Sequence, residues 1–283
     1  MCDKFLIDTE STHISSDEVV VETANRTWLH QPEHPGMGYS FTQKMIDADT
    51  LAETRKLLNN AIVCAWYAVK SERRPPALTP TRWVWRLAGF YHLCHSTPRL
   101  MEEAQERFAS ANRQSLAQWA VQKAREESGH DLLALRDIES MGYRAEAVVQ
   151  ALVPPAAKAL LHYFTQSVQG SDPIDCVGYS YTAERLGICI GMGYIQSVEA
   201  LLPPGITATR CLRAHSAVST EVEHVKETVA MIARLTSEER ERIAKACYQA
   251  ALLRFSPPKE AYILDEEIES ILKPLKLTNN HYK

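Results

Sequence analysis

No two of the seven cysteines are spaced as a CxxC pair, so the chain offers no thiolate knuckle for a structural zinc or an iron–sulfur cluster. Cys2, Cys64, Cys94, Cys176, Cys189, Cys211 and Cys247 are scattered singly, and most sit among apolar neighbours. Their count is odd and no signal peptide opens the chain, so they read as reduced core residues of a cytoplasmic protein. Apolar runs are broken by charge well before the roughly 18 residues that a membrane-spanning helix requires. Excess basic charge is also missing. Thirty-one Lys plus Arg against 35 Asp plus Glu leave a net charge of −4, which makes nucleic acid and anionic membrane poor partners. Glycine-rich phosphate loops and a nucleophile elbow are absent, which argues against nucleotide use and serine-hydrolase chemistry. A catalytic role for Cys189 would need a partner that lowers its pKa, and none is evident nearby.

What remains is an ordinary globular composition, 45% apolar and 23% charged over 283 residues, with room for a sizeable core. Residues 1–45 are polar and weakly periodic and predict an irregular N-terminal arm, in which only Val19 to Val21 looks strand-like. Beyond residue 47 apolar residues recur at three- and four-residue steps. The pattern predicts helices over about 47–71, 79–96, 98–110, 113–141, 144–153, 156–168, 174–202, 206–235, 237–254 and 258–273. Thr79-Pro80 reads as an N-cap followed by proline at the first helical position, and Gly142 as a helix stop. Pro75-Pro76, Pro154-Pro155, Pro203-Pro204-Gly205 and Pro257-Pro258 divide the segments. Unequal segment lengths argue against solenoid repeats. The expected architecture is an all-α bundle of seven or more helices over 46–275, followed by a flexible tail over 276–283.

Three polar clusters stand out within this helical pattern. Glu126, Glu127 and His130 lie close together. At roughly 100° per residue, Glu127 and His130 are about 60° apart around a helix, and Glu126 and His130 about 40°. Either carboxylate therefore shares a face with the imidazole. Gly129 between them costs about 1 kcal/mol in a helix interior and suggests close approach of another backbone. Glu221 and His224 repeat the ExxH spacing, with His215 nine residues ahead of His224. On a regular helix His215 and His224 face opposite ways, so sharing one centre requires a break or bulge between about 216 and 221. Glu184 precedes a long apolar stretch and, if buried, must be paired, protonated or metal-bound. The alternative is an exposed stripe shared with Arg185. Arg125 and Lys226 are expected to reach solvent, and Trp66, Trp83, Trp85 and Trp119 to anchor packing.

Glu and His on separate bundle helices suit a carboxylate-bridged pair of metal ions. Four blocks strengthen that reading: Phe90 to Leu100, Glu126 to Asp131 with Leu135 to Gly142, Gly178 to Glu184, and Ala214 to Val218 with Glu221 to Val225. In order and spacing, over about residues 50–255, they resemble the haem-oxygenase-like iron-containing redox enzymes, also described as haem-oxygenase-like di-iron oxidases or oxygenases. The resemblance implies a haem-oxygenase-like helical bundle. It also implies metal ligands at Glu127 or Glu126, His130, Glu184, His215, Glu221 and His224.

The cofactor implied is Fe(II), two ions, with dioxygen as co-substrate acting on a small organic molecule that bears nitrogen or a carboxylate, amino acids included. Tyr91, His92, His95 and Tyr181 are the candidates for contact with substrate. The chain departs from the family pattern at its last histidine pair. Ala217 stands seven residues before His224, and His215 is displaced by two. Glu221 stands where the family usually has Asp. A metal-free oxidase or thiaminase-like enzyme on the same fold is the alternative, and a non-catalytic helical binding protein is another. A homodimer is the expectation by base rate.

Overall fold

Thr79 begins the longest helix by accepting the Arg82 N–H on its side chain, with Pro80 preset for the first turn. The computed structural model describes residues 9–15, 18–23, 26–30, 50–69, 76–216 and 221–277, of which 9–30 and positions 50 and 221 are described as backbone only. In the N-terminal region three strands, β1 (Thr9–Ser15), β2 (Glu18–Thr23) and β3 (Arg26–His30), pair antiparallel in chain order. Only Val19 to Val21 carries a strand signal in the sequence, and it lies within β2. Residues 31–45 of the expected arm lie outside the described residues.

Every element of three or more residues from residue 50 onward is helical among the described residues. The helices are α1 (Thr50–Ala68), α2 (Pro80–Ser110), α3 (Gln114–Glu127), α4 (His130–Ser140), α5 (Ala145–Ala151) and α6 (Pro155–Gln169). They continue as α7 (Asp175–Gly187), α8 (Met192–Glu199), α9 (Arg210–Ala214), α10 (Glu221–Ile232), α11 (Ser237–Phe255) and α12 (Asp265–Leu272). The architecture is the expected all-α bundle, and the divisions within it differ from expectation in four places.

Pro98 does not separate two helices. It lies inside α2, where it withholds one N–H and the helix continues. Conversely, three segments expected to be continuous are broken. The 113–141 segment splits at Ser128-Gly129, the 174–202 segment at 188–191, and the 206–235 segment after Ala214. Lys276, at the head of the expected tail, bridges to Tyr143, and the Leu277 N–H donates to the Gly142 carbonyl at 2.8 Å. Residues 278–283 lie outside the described residues.

Two large apolar clusters dominate the core among the described residues. One gathers Leu58, Ile62, Leu100, Phe108, Phe164 and Ile243 from α1, the second half of α2, α6 and α11, together with residues of α3, α7 and α10. The other gathers Trp83, Leu87, Ile138, Val148, Ile195 and Leu212 from the first half of α2, α4, α5, α8 and α9. Helix α2 runs through both. Trp83 donates its indole N–H to the Ala208 carbonyl at 2.7 Å, and Trp119 to Thr228 Oγ1 at 3.1 Å, so each tryptophan fastens two segments as well as filling space. No helix among the described residues is long and apolar enough to cross a membrane.

Candidate functional site

The three unexpected breaks involve the helices that carry the polar residues. Between α3 and α4, Ser128 is extended and Gly129 is left-handed at φ 84°. A Cβ at Gly129 would meet nothing within 4 Å, so the glycine is needed for its backbone conformation and not for close approach of another chain segment. Glu127 thus ends one helix and His130 begins the next. His130 Nδ1 lies 3.1 Å from Glu127 Oε2 across this corner.

His215 occupies the C-cap of α9, at φ −104° and ψ 38°. The straight helix expected over 206–235 is absent, and with it the geometry that set His215 and His224 on opposite faces. Ser216 Oγ donates back to the Arg213 carbonyl at 2.8 Å, whereas Ser219 and Thr220 lie outside the described residues. Asp137 holds α9 in place by accepting the Cys211 N–H at 2.9 Å and Arg210 Nη1 at 2.9 Å. Gly187, at the end of α7, packs so closely that a Cβ there would lie 2.6 Å from the His215 carbonyl oxygen. These contacts bring the His215 ring to within 4.6 Å of the His130 ring, centroid to centroid and nearly perpendicular. His215 Nε2 lies 4.0 Å from Glu127 Oε2.

Glu127, His130 and His215 therefore converge, each with a ligating atom within 4.8 Å of the other two. Two donors each about 2.1 Å from one ion stand about 3 Å apart when they are cis, which the 3.1 Å pair matches, and the 4.0 Å pair would have to close by about 1 Å on binding. Burial works to raise the Glu127 carboxyl. The neighbouring His130 and His215 outweigh it and hold the group below the ordinary glutamate value.

Glu126, one residue earlier, points elsewhere. Its carboxylate accepts from Gln122 Nε2 at 2.8 Å and from Lys123 Nζ at 2.7 Å, and lies 3.6 Å from His224 Nε2. Lys123 is buried, and its ammonium also pairs with Glu184 Oε1 at 2.8 Å. Glu184 is buried, which removes the exposed-stripe alternative. Burial disfavours the charged form of Lys123, yet Glu184 and Glu126 overcome that and raise its pKa. A pair of divalent cations would need these carboxylates as ligands and bridges. Here Glu126 and Glu184 already close on a single ammonium. Among the described residues Glu127, His130 and His215 form a group that could hold an ion. The Glu221 side chain lies outside the described residues.

Sequence reasoning missed Lys123, although its signal is local. Leu116, Trp119 and Ala120 mark the buried stripe of α3, and Lys123 continues it at steps of seven, four and three.

None of the four residues expected near substrate is among the donors that converge here. Tyr181 is fully buried and donates to Asn59 Oδ1 at 2.9 Å, an oxygen shared with Arg185 Nε at 2.9 Å, so it does not orient Glu184 through its hydroxyl. His92 Nε2 lies 2.9 Å from the Leu152 carbonyl, a tie between segments. Tyr91 stacks on His95 at 5.1 Å, and His95 Nδ1 pairs with Asp131 Oδ2 at 2.7 Å with its ring 59% exposed. Arg185 Nη1 donates to Cys189 Sγ at 3.1 Å, a polar neighbour the sequence did not disclose. Arg125 and Lys226 are exposed, as expected.

No family model and no curated protein matches the chain. Solved structures do. A domain of unknown function with a haem-oxygenase-like fold from Shewanella denitrificans is 19% identical, covers 83% of this chain and 95% of its own, and has a TM-score of 0.53. A TenA homologue from Pseudomonas syringae pv. tomato is 12% identical over 74% of this chain and 94% of its own, at 0.54. A CADD-like protein of unknown function from Nostoc punctiforme is 16% identical over 78% of this chain and 94% of its own, at 0.50. The chain has a haem-oxygenase-like helical fold. Those matches span several families that share it and do not single out a di-iron oxidase family.

Proposed function

We propose that the chain is a metal-dependent enzyme that holds one divalent ion, iron(II), through Glu127, His130 and His215 and uses dioxygen to oxidise a small organic substrate. The observation that carries this reading is the donor set itself. Two imidazoles and one carboxylate converge from three helix ends, which is the composition of a non-haem iron facial triad. When bound, iron in such a set retains open positions for dioxygen and substrate and supplies the redox chemistry. The protein's own part is positional. Asp137 and Gly187 fix the segment that presents His215, and the Gly129 corner presents His130 to Glu127.

Lys123 compensates Glu126 and Glu184 without a second ion. Its ammonium is held protonated by two carboxylates, so it does not serve as a nucleophilic amine. The same ion pairs favour a second reading, a metal-free enzyme on this fold whose polar centre is complete as it stands.

Anaerobic equilibrium dialysis of metal-stripped protein against ferrous iron separates the readings. One equivalent is expected, lost in Glu127→Gln and His130→Ala and retained in Tyr181→Phe. Two equivalents would restore the di-iron reading. None, with the protein folded, would favour the metal-free enzyme.

A further inference from the structure

Cys94 and Cys211 have no part in the reading above, yet they adjoin it. Cys94 comes from the middle of α2 and Cys211 from α9, where it lies four residues ahead of His215 and therefore on the same face. Cys94 Sγ is 3.5 Å from His215 Nε2. All three ligating atoms lie within 4.8 Å of one another. Tetrahedral zinc, with sulfur at about 2.3 Å and nitrogen at about 2.0–2.1 Å, sets neighbouring S and N donors roughly 3.5 Å apart.

The surroundings suit a soft, neutral centre. Ala134, Phe90, Tyr91 and Leu133 pack on the two cysteines, and both thiols are buried while His215 is one-quarter exposed and leaves an approach. Zinc(II) with two thiolates carries no net charge, so it can sit in that apolar shell where a bare anion cannot. Binding sends two thiol protons to solvent.

We propose that Cys94, Cys211 and His215 form a thiolate-rich zinc(II) site that shares His215 Nε2 with the Glu127–His130 pair. One nitrogen cannot ligate two ions at once. Zinc at the cysteines and an ion at Glu127 and His130 are therefore alternatives, chosen by metal softness: thiolates select zinc, and the carboxylate–imidazole set selects iron. The zinc site stands on its own donors, and only the competition rests on the single-iron reading.

Cobalt(II) and zinc(II) added to the full-length metal-stripped protein provide the test. Cobalt should give a thiolate-to-metal charge-transfer band in the near ultraviolet. The band should disappear in Cys94→Ala, Cys211→Ala and His215→Ala and survive in Glu127→Gln. X-ray absorption of zinc-loaded wild type, which needs no variant, should show two sulfur scatterers at about 2.3 Å. A coordination shell of nitrogen and oxygen alone, or a band that survives Cys94→Ala, overturns the site. Zinc loading should abolish ferrous iron binding, and simultaneous binding of both overturns the competition. If the thiolate band appears but no iron binds in the absence of zinc, the zinc site stands and the iron reading falls. Iron binding without any thiolate signal overturns the zinc site and leaves the iron reading in place.

Discussion

Lys123 carries a full charge into the interior of α3, where only the two carboxylates around it make that placement tolerable. Its ammonium offsets Glu126 on its own helix and Glu184 on α7. Replacing it by methionine keeps the length and removes the charge, which leaves the buried Glu184 and the half-buried Glu126 without their shared counter-charge. Breaking a buried pair in this way typically costs about 3–5 kcal/mol. Lys123→Met should therefore unfold at clearly lower denaturant concentration in the metal-free state. Added manganese(II) or iron(II) should recover much of the loss and raise the bound stoichiometry from one to two. A variant as stable as wild type, or one whose stoichiometry stays at one, would show that the ammonium does not stand in for a cation. The position of Lys123 was legible in the stripe of α3. Its partner Glu184 was not, because that pairing depends on how α7 packs and not on any local spacing.

At the scale of elements, the ExxH spacing set Glu127 or Glu126 beside His130, and Glu127 is the one that meets it, though not on the continuous helix that spacing assumed. The continuous helix that justified it is broken at Gly129, and the two side chains meet across a corner. His215 illustrates the same limit. Whether it joined His130 depended on a break after Ala214 that tertiary contacts impose and that no residue between 206 and 216 announces by glycine or proline beyond Gly205. Gly187 is one of those contacts. A methyl group in Gly187→Ala would sit 2.6 Å from the His215 carbonyl, so α9 must shift. The expected result is a destabilisation of about 1–3 kcal/mol, together with metal affinity weakened at least about 10-fold. Titration of the variant with iron would show it, and wild-type affinity would remove Gly187 as a positioning residue.

Helix α11 starts at Ser237, where the periodicity placed it, and its cap is a finding of the structure. Thr236 accepts the Glu239 N–H at 3.2 Å, and Glu239 accepts the Thr236 N–H at 2.9 Å, closing a capping box that Arg113 joins from the start of α3. Thr236→Ala should cost about 1 kcal/mol. Partial burial works to raise the Glu239 carboxyl, but the Thr236 hydrogen bonds and Arg113 hold it below the ordinary glutamate value. A lowered folded pKa gives stability that is present above the unfolded value of about 4.3 and lost as pH falls through the folded one. The stability difference between wild type and Glu239→Gln should thus shrink in acid. A difference that grows below about pH 4 would contradict the assignment.

For the whole molecule, the helical class and its proline-marked divisions were readable because amphipathic periodicity is local, whereas the strands of 9–30 carried almost no periodic signal. The larger feature that periodicity could not disclose is a seam. The breaks at 128–129, at 188–191 and after Ala214 separate helices of the first apolar cluster from helices of the second, and α2 alone among the broken region's neighbours runs unbroken through both. Glu127 reaches the seam from α3, on the first cluster, while His130 and His215 reach it from α4 and α9, on the second. An ion held by all three ties the two halves together, and ligand binding stabilises the folded state according to its excess over the dissociation constant.

That stabilisation should be concentrated where the ligands cross. Hydrogen exchange of iron-loaded against metal-free protein under anaerobic conditions should slow most over 125–132 and 211–216, to a smaller degree over 187–191, and least in α6 and α12. Uniform protection along the chain would mean that metal acts only on global unfolding. Protection confined to 211–216 and the middle of α2 would locate the ion at the cysteines instead of at the seam.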